Sequence, residues 1–329
     1  MEQEEVMSQN KSVNRLFLVV VVLYIGVSLG LGALSSVIPA IGNLPMYVSL
    51  LLSQALVFVP CFVYCKWKRI KIREFIPYRK INFVTVILVI ICTYLMYPLI
   101  ILLNAISMLF STSGTAGVAE MMSGQNFFLS ALFMAVMPAC VEEFMFRGVL
   151  FQTYRRSKML PAICLSAFMF GCMHMNLNQF MYAFALGVYL AFLVEATGSI
   201  FSSMLAHFTL NFTSVVLSFL LPFLYEILGM PAEAADQQVE LGGLASNMAG
   251  GELAVFLMGI LMWAALAVGT TAAAFGLYVA ISKINGRWAY VKGMFKRGTG
   301  ERLVTVPLAL GLLVSFAFMG LSIYLEHIG

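Results

Sequence analysis

The chain has 329 residues, of which 61% are hydrophobic and 10% are charged, whereas a soluble globular domain carries roughly 25% charged residues. This composition argues against a soluble fold. The formal net charge of +4 comes without a glycine-rich phosphate loop or an RNA-binding motif. We therefore expect contact with anionic lipid head groups and no nucleic acid partner.

Long apolar runs separated by polar stretches predict about nine membrane-spanning helices. The first run is too long for a signal peptide and follows a leader that contains both acidic and basic residues, so we predict an uncleaved first span. The predicted spans are residues 16–38, 46–65, 83–108, 126–152, 159–177, 180–196, 199–224, 253–282 and 304–325. The fold class is accordingly an all-α, polytopic transmembrane helical bundle.

The basic residues predict the topology of this bundle. Of the 19 Lys and Arg residues, 18 lie in the leader or in alternate connections, and the opposite connections contain none. The remaining one, Arg147, lies inside a predicted span. By the positive-inside rule, the N-terminus is cytoplasmic and the C-terminus is outside, and we expect a multi-pass protein of a bacterial plasma membrane.

Four segments follow from this topology. They are the N-terminal membrane helices with a cytoplasmic basic loop (1–125), a core (126–224), an acidic external loop (225–252) and a C-terminal two-helix extension (253–329).

Ionisable side chains deep inside the predicted spans are concentrated in three of them. They are Glu142, Glu143 and Arg147 in the fourth span, His174 in the fifth, and His207, accompanied by Asn211, in the seventh. A charged side chain at the centre of a span costs about 2.5–3.5 kcal/mol on insertion scales. These residues are therefore the functional candidates.

Helical phase separates the two adjacent glutamates. Glu143 and Arg147 are four residues apart, on one face, so they can pair. Glu142 is rotated by about 100° from Glu143, and we expect it to point into a cavity among neighbouring helices.

The predicted topology also brings the candidates to overlapping depths. With about 1.5 Å of rise per residue, Glu142 and His174 lie roughly 20 and 22 Å from the cytoplasmic ends of their helices. His207 and Asn211 lie roughly 12 and 18 Å from theirs. All four can therefore meet in an intramembrane polar cavity.

A carboxylate, two imidazoles and a carboxamide support hydrolysis of a peptide bond. A carboxylate and a histidine can deprotonate a water molecule as general bases, and a second histidine with an asparagine can donate hydrogen bonds to an oxyanion. A cysteine nucleophile has less support, because Cys140 and Cys172 are each two residues from an acidic or imidazole candidate and face other directions.

A zinc site is the alternative mechanism. Glu142, His174 and His207 could ligate zinc and leave an open position for water. The sequence lacks the HExxH motif that would indicate zinc specifically. We prefer water activation that requires no cofactor and keep zinc as the alternative.

At these residues the sequence resembles the CAAX-protease and bacteriocin-processing family of intramembrane peptidases, also called the Abi family. The family motifs EExxxR, FxxxH and HxxxN match Glu142, Glu143 and Arg147, then Phe170 and His174, then His207 and Asn211. The motifs occur in the family's order within roughly 90 residues. The two last spans and the acidic loop lie outside this shared region.

The resemblance implies a role for each matched residue. Glu142 would be the principal base and His174 its partner, and His207 and Asn211 would hold the oxyanion. The other motif residues would be supporting; they are Glu143, Arg147 and Phe170. In this family, eukaryotic members remove a tripeptide after a prenylated cysteine, and bacterial members are linked to bacteriocin maturation, self-immunity or envelope regulation.

We therefore predict an intramembrane endopeptidase that acts on a membrane-associated or lipid-linked peptide. Two other classes stay open, namely a non-catalytic membrane scaffold or self-immunity factor, and a transporter with proton-carrying acids. The absence of an internal repeat weakens the transporter reading. The sequence predicts neither the substrate nor the oligomeric state.

Overall fold

The computed structural model describes residues 2–108, 110–111, 125–228 and 251–328. Throughout these ranges the regular elements are helices and no strand occurs. Eight of the described helices are long and apolar enough to cross a membrane, and a ninth apolar helix is shorter. The prediction of an all-α, polytopic helical bundle is confirmed.

Besides a short 3-10 helix at Met294–Lys296, twelve helices are formed within the described residues. They are α1 (Glu2–Ser35), α2 (Pro39–Gly42), α3 (Met46–Trp67), α4 (Ile72–Phe75), α5 (Phe83–Ser107), α6 (Phe127–Tyr154), α7 (Met159–Met173), α8 (Leu177–Thr197), α9 (Ile200–Ile227), α10 (Gly251–Ile284), α11 (Trp288–Gly293) and α12 (Val306–Ile328). The eight spanning candidates are α1, α3, α5, α6, α8, α9, α10 and α12.

Two predicted spans have wrong boundaries. The first helix begins at Glu2 rather than at residue 16, and its leader packs into the bundle, with Val13 fully buried. The fifth span, predicted as 159–177, ends at Met173 after 15 residues. At roughly 22 Å, α7 is shorter than the hydrocarbon core of about 30 Å.

The end of α7 is set by backbone conformation and capping. Met175 has a positive φ of 51°, which no helix continues through. Asn176 then caps α8, because its side chain accepts a hydrogen bond from the backbone N–H of Gln179 at 3.0 Å. The turn between α7 and α8 therefore lies within the depth of the bundle, and it carries His174.

The basic connections meet at one end of the bundle. Asn10, near the N-terminus, donates from Nδ2 to Ser157 Oγ at 2.9 Å and to the backbone oxygen of Arg302 at 3.1 Å. At the start of α9, the Ile200 N–H donates to the Pro77 oxygen at 3.0 Å. Every second connection of a helical bundle lies at the same end of the bundle, so basic residues in alternate connections must meet there. Which membrane face this end occupies stays a prediction.

Helices α6, α7 and α8 form the centre of the bundle. In α8, 61% of the most apolar 18-residue window is buried, against 6% in α10 at the periphery. Gly187 permits a close approach of α8 to α7, because a Cβ atom there would lie 2.8 Å from the Cα of Ala167. This contact places α7 directly beside the charged residues of α6.

The proposed division into segments stays a prediction. Residues 229–250, most of the acidic loop, lie outside the described residues. Residues 251–328 form α10, α11 and α12.

Candidate active site

The charged residues of the fourth span lie where α6 changes its winding. Two parts of this helix are π-helical, Leu132–Val136 and Phe144–Leu150. The second starts directly after Glu143 and contains Arg147, whose backbone oxygen accepts a hydrogen bond from Gln152 Nε2 at 3.0 Å. Such wider turns occur mostly as local insertions in α-helices, frequently at functional sites.

Glu143, Arg147 and His207 form a buried charged network. Arg147 Nη1 donates to Glu143 Oε1 at 2.7 Å, and both side chains are fully buried. The same carboxylate oxygen lies 3.1 Å from Nδ1 of His207, on α9. The predicted pairing within α6 is present, and the network joins α9 to α6. Buried charges are tolerated when they are paired and hydrogen-bonded in this way.

The ring of Phe170 lies at the centre of the candidate residues. The guanidinium carbon of Arg147 is 4.4 Å from the ring centroid. The rings of His174 and His207 pack edge-on at centroid distances of 5.2 and 5.7 Å, and Phe146 packs in the same way at 5.2 Å. Phe170 therefore contacts side chains from α6 and α9 and both imidazole rings. Its supporting role stays a prediction.

Glu142 points into a separate cavity of about 160 Å³. This cavity has room for more than one water molecule. His174 and Gln54 also line it, and Gln54 Nε2 donates to Glu142 Oε1 at 3.0 Å. The full lining is Tyr24, Ser53, Gln54, Val57, Glu142, Phe146, Phe170, Met173, His174 and Gln179. Glu142 and His174 thus share one polar cavity, as their estimated depths predict.

His207 connects the two glutamates. Its Nε2 lies 3.9 Å from Glu142 Oε2, while its Nδ1 faces Glu143. Because a carboxylate can only accept hydrogen bonds, Nδ1 carries a proton when it bonds Glu143. The remaining nitrogen, Nε2, is therefore the one directed toward Glu142.

Asn211 lies one turn beyond His207 on α9 and is partly buried. In the part of the chain that the structure describes, no hydrogen bond joins Asn211 to the other three candidates, and it is not part of the cavity lining. Its role stays a prediction from its helical phase and from the family resemblance.

The described residues also bear on the zinc alternative. Among them, no three His, Cys, Asp or Glu side chains are grouped in a way that could hold a metal ion. The zinc alternative, with Glu142, His174 and His207 as ligands, stays a prediction.

Sequence reasoning missed the polar residues contributed by the N-terminal helices. Tyr24 on α1 and Gln54 on α3 line the cavity, more than 80 residues before Glu142 in the chain. The available signal was a polar pair, Ser53 and Gln54, inside a predominantly apolar predicted span.

A second polar cluster lies where the basic connections meet. The fully buried Glu195, near the end of α8, accepts from Arg155 Nη2 at 2.9 Å and from Tyr290 Oη at 2.7 Å. Arg287 Nε donates to the backbone oxygen of Glu195 at 2.7 Å. Burial, with the nearby Glu195 carboxylate, raises the pKa of Tyr290, so its hydroxyl remains a donor. This cluster attaches the connection between α10 and α12 to the central helices.

Comparison with known proteins identifies a family for the central part of the chain. The family model described as type II CAAX prenyl endopeptidase Rce1-like matches residues 124–213. This segment contains every motif residue from Glu142 to Asn211, and the resemblance stated above is confirmed for it. No curated protein and no solved structure matches the chain.

Proposed function

We propose that this protein is an intramembrane endopeptidase that hydrolyses a peptide bond in a membrane-associated or lipid-linked peptide. The match of residues 124–213 supports a CAAX-type endopeptidase at the level of the family. One observation carries the finer proposal, namely that Glu142 and His174 line the same cavity of about 160 Å³.

Glu142 and His174 would bind the attacking water between them. As general bases they take one proton from the water while its oxygen forms a bond to the carbonyl carbon of the substrate. The product of this step is a tetrahedral intermediate with an oxyanion. The proton then passes to the leaving nitrogen as the C–N bond breaks, which yields a carboxylic acid and an amine. The acid then passes its remaining hydroxyl proton to the amine, so that the products are a carboxylate and an ammonium group.

His207 would stabilise the oxyanion through Nε2. Since Nδ1 donates to Glu143, Nε2 can donate only when the ring is the doubly protonated imidazolium. The buried Glu143 carboxylate lies 3.1 Å from Nδ1 and accepts its hydrogen bond. Asn211, on the same face of α9, would supply the second donor. Removing one such donor typically lowers kcat by about 10²–10³.

Glu143, Arg147 and Phe170 would hold the reacting groups in place. The Arg147 guanidinium balances the Glu143 carboxylate and lies 4.4 Å from the centroid of the Phe170 ring, and that ring contacts both imidazoles. These three residues therefore support the site without needing to touch the substrate.

Peptide cleavage by the purified protein tests the proposal. The probe is an internally quenched peptide that ends in a farnesylated cysteine and three further residues, together with its unprenylated counterpart. We expect wild-type protein to release fluorescence and Glu142→Gln to lose turnover while it still inserts and unfolds normally. Glu74→Gln is the matched control, because Glu74 is a carboxylate exposed to solvent.

Two results would contradict the proposal. Equal cleavage by wild type and Glu142→Gln would refute the role of this carboxylate. A cellular phenotype that Glu142→Gln preserves in full would favour a scaffold. Comparing membrane peptides from cells that carry either protein extends the test to the natural substrate, because a cleaved peptide should appear only with wild type.

The cysteine alternative has its own test. Cys140 is exposed on the outside of the bundle, and Cys172 is buried. We expect Cys140→Ala and Cys172→Ala to retain turnover, since neither thiol lines the cavity. Loss of activity in either, with normal folding, would favour a thiol nucleophile.

A further inference from the structure

Helix α3 lies outside the segment that matches the family, yet it contributes directly to the cavity. Gln54 on α3 donates from Nε2 to Glu142 Oε1 at 3.0 Å. Phe58, one turn further on, packs against Phe144 of α6 with ring centroids 5.7 Å apart. The two contacts fix the position of the Gln54 amide relative to Glu142.

The oxygen of this amide is left without a hydrogen-bond partner. The Gln54 Oε1 atom is buried and has no hydrogen-bond partner among the described residues. Leaving a buried acceptor unpaired is costly, so such an atom in a cavity favours a ligand that brings a donor. Its neighbour Ser53 is already used, because Ser53 Oγ donates to the Leu50 backbone oxygen at 2.8 Å.

A peptide substrate brings donors of the required kind. Each residue of an extended peptide carries a backbone N–H, and inside a lipid-embedded cavity that group needs an acceptor. The Glu142 carboxylate is needed for water, whereas the Gln54 carbonyl has no part in the proposed hydrolysis. Because the same amide donates to Glu142 at 3.0 Å, its oxygen lies near the proposed position of hydrolysis.

We infer that Gln54 is a substrate-binding residue, which holds Glu142 through Nε2 and accepts a backbone N–H of the peptide beside the scissile bond through Oε1. This inference rests on the proposed endopeptidase function. It assigns part of substrate recognition to the N-terminal helices rather than to the matched segment.

Two sets of changes test this inference together. The probe is the quenched farnesylated peptide in its original form and in versions methylated at one backbone nitrogen at a time, which removes one N–H in each. The proteins are wild type, Gln54→Met, which keeps the size and loses both polar atoms, and Leu51→Met. Leu51 is 52% exposed on the same helix and serves as the control.

For wild type, we expect N-methylation at one amide flanking the scissile bond to lower kcat/KM by about 5–100-fold, as for loss of a buried hydrogen bond. Gln54→Met should lower kcat/KM for the original peptide by at least as much, and methylation at that amide should then have no further effect, because the two changes remove the same interaction. Leu51→Met should behave as wild type does.

The inference fails if each N-methylation lowers kcat/KM by the same factor with wild type and with Gln54→Met. It also fails if no N-methylation lowers the kcat/KM of wild type. Failure of the proposed function gives a different result, namely no difference between wild type and Glu142→Gln. In that case the same peptides are compared by fluorescence anisotropy for binding to protein in lipid nanodiscs. An unchanged methylation pattern between wild type and Gln54→Met refutes the inference there as well.

Discussion

The close approach of α7 and α8 at Gly187 leads to a quantitative prediction. In Gly187→Ala, the new Cβ would lie 2.8 Å from both Cα and Cβ of Ala167 and 3.1 Å from Arg147 Nη2. Carbon atoms prefer separations of about 3.5–4.0 Å. A contact with backbone cannot be relieved by a rotamer change, so the two helices must separate by roughly 1 Å.

Both stability and activity should respond. Overpacking of this kind typically costs about 1–3 kcal/mol, and a displacement of about 1 Å in catalytic groups can lower the rate about 10²-fold. Helix α7 carries Phe170 and His174, so its displacement moves the proposed base partner away from Glu142. We expect Gly187→Ala to be destabilised and to cleave the quenched peptide about 10–100-fold more slowly than wild type.

The control for this prediction is Gly276→Ala on α10, where no atom lies within 4 Å of the new Cβ. Replacing glycine by alanine within a helix gains up to about 1 kcal/mol of helix propensity at either position. The difference in unfolding free energy between the two variants therefore isolates the packing cost. The variants are compared by unfolding in detergent and by peptide cleavage. If Gly187→Ala is as stable and as active as Gly276→Ala, the reasoning about this contact is wrong.

Three further predictions concern the buried charges and the metal alternative. Arg147→Met should destabilise the protein by about 3–5 kcal/mol, because it removes the buried guanidinium that balances the charge of the buried Glu143 carboxylate. Unfolding of this variant is compared with that of Lys71→Met, whose exposed ion pair should contribute little. Glu195→Ala should increase the rate of trypsin cleavage between α10 and α12 by about tenfold or more. The reason is that cleavage follows the population in which this connection has detached from the central helices. An unchanged rate would show that the cluster around Glu195 does not attach this connection. Zinc chelation of the purified protein should leave peptide cleavage unchanged, whereas a loss that added zinc restores would establish the metal mechanism.

The sequence predicts most of the fold because membrane helices are encoded locally. The positions and lengths of the apolar runs alone predict the ends of α3, α5 and α10 to within a few residues. The end of α7 is different, because Met175 and Leu177 continue the apolar pattern past His174. The break depends on the positive φ of Met175 and on the Asn176 cap, and the spacing from Asn176 to Gln179 was its visible signal.

The depth of the candidate residues in the bundle was predictable from the sequence, but the contacts between their side chains were not. The estimated rise of each helix brings Glu142 and His174 to one level, and they share a cavity in the structure. The contact of His207 with Glu143 depends on how α9 is rotated against α6, which helical periodicity alone does not determine. Gln54 reaches Glu142 from 88 residues earlier, and no local pattern predicts such a pairing.

The division of the polar centre among separate helices bears on how the protein enters the membrane. Glu143 and Arg147 leave the ribosome together on α6, but their imidazole partner arrives only with α9, after α7 and α8 have been synthesised. Until then, α6 exposes charges that cost about 2.5–3.5 kcal/mol each at the bilayer centre. We therefore expect the translocon to retain α6 until α9 emerges, and a nascent chain that is truncated before α9 to be removed by membrane quality control.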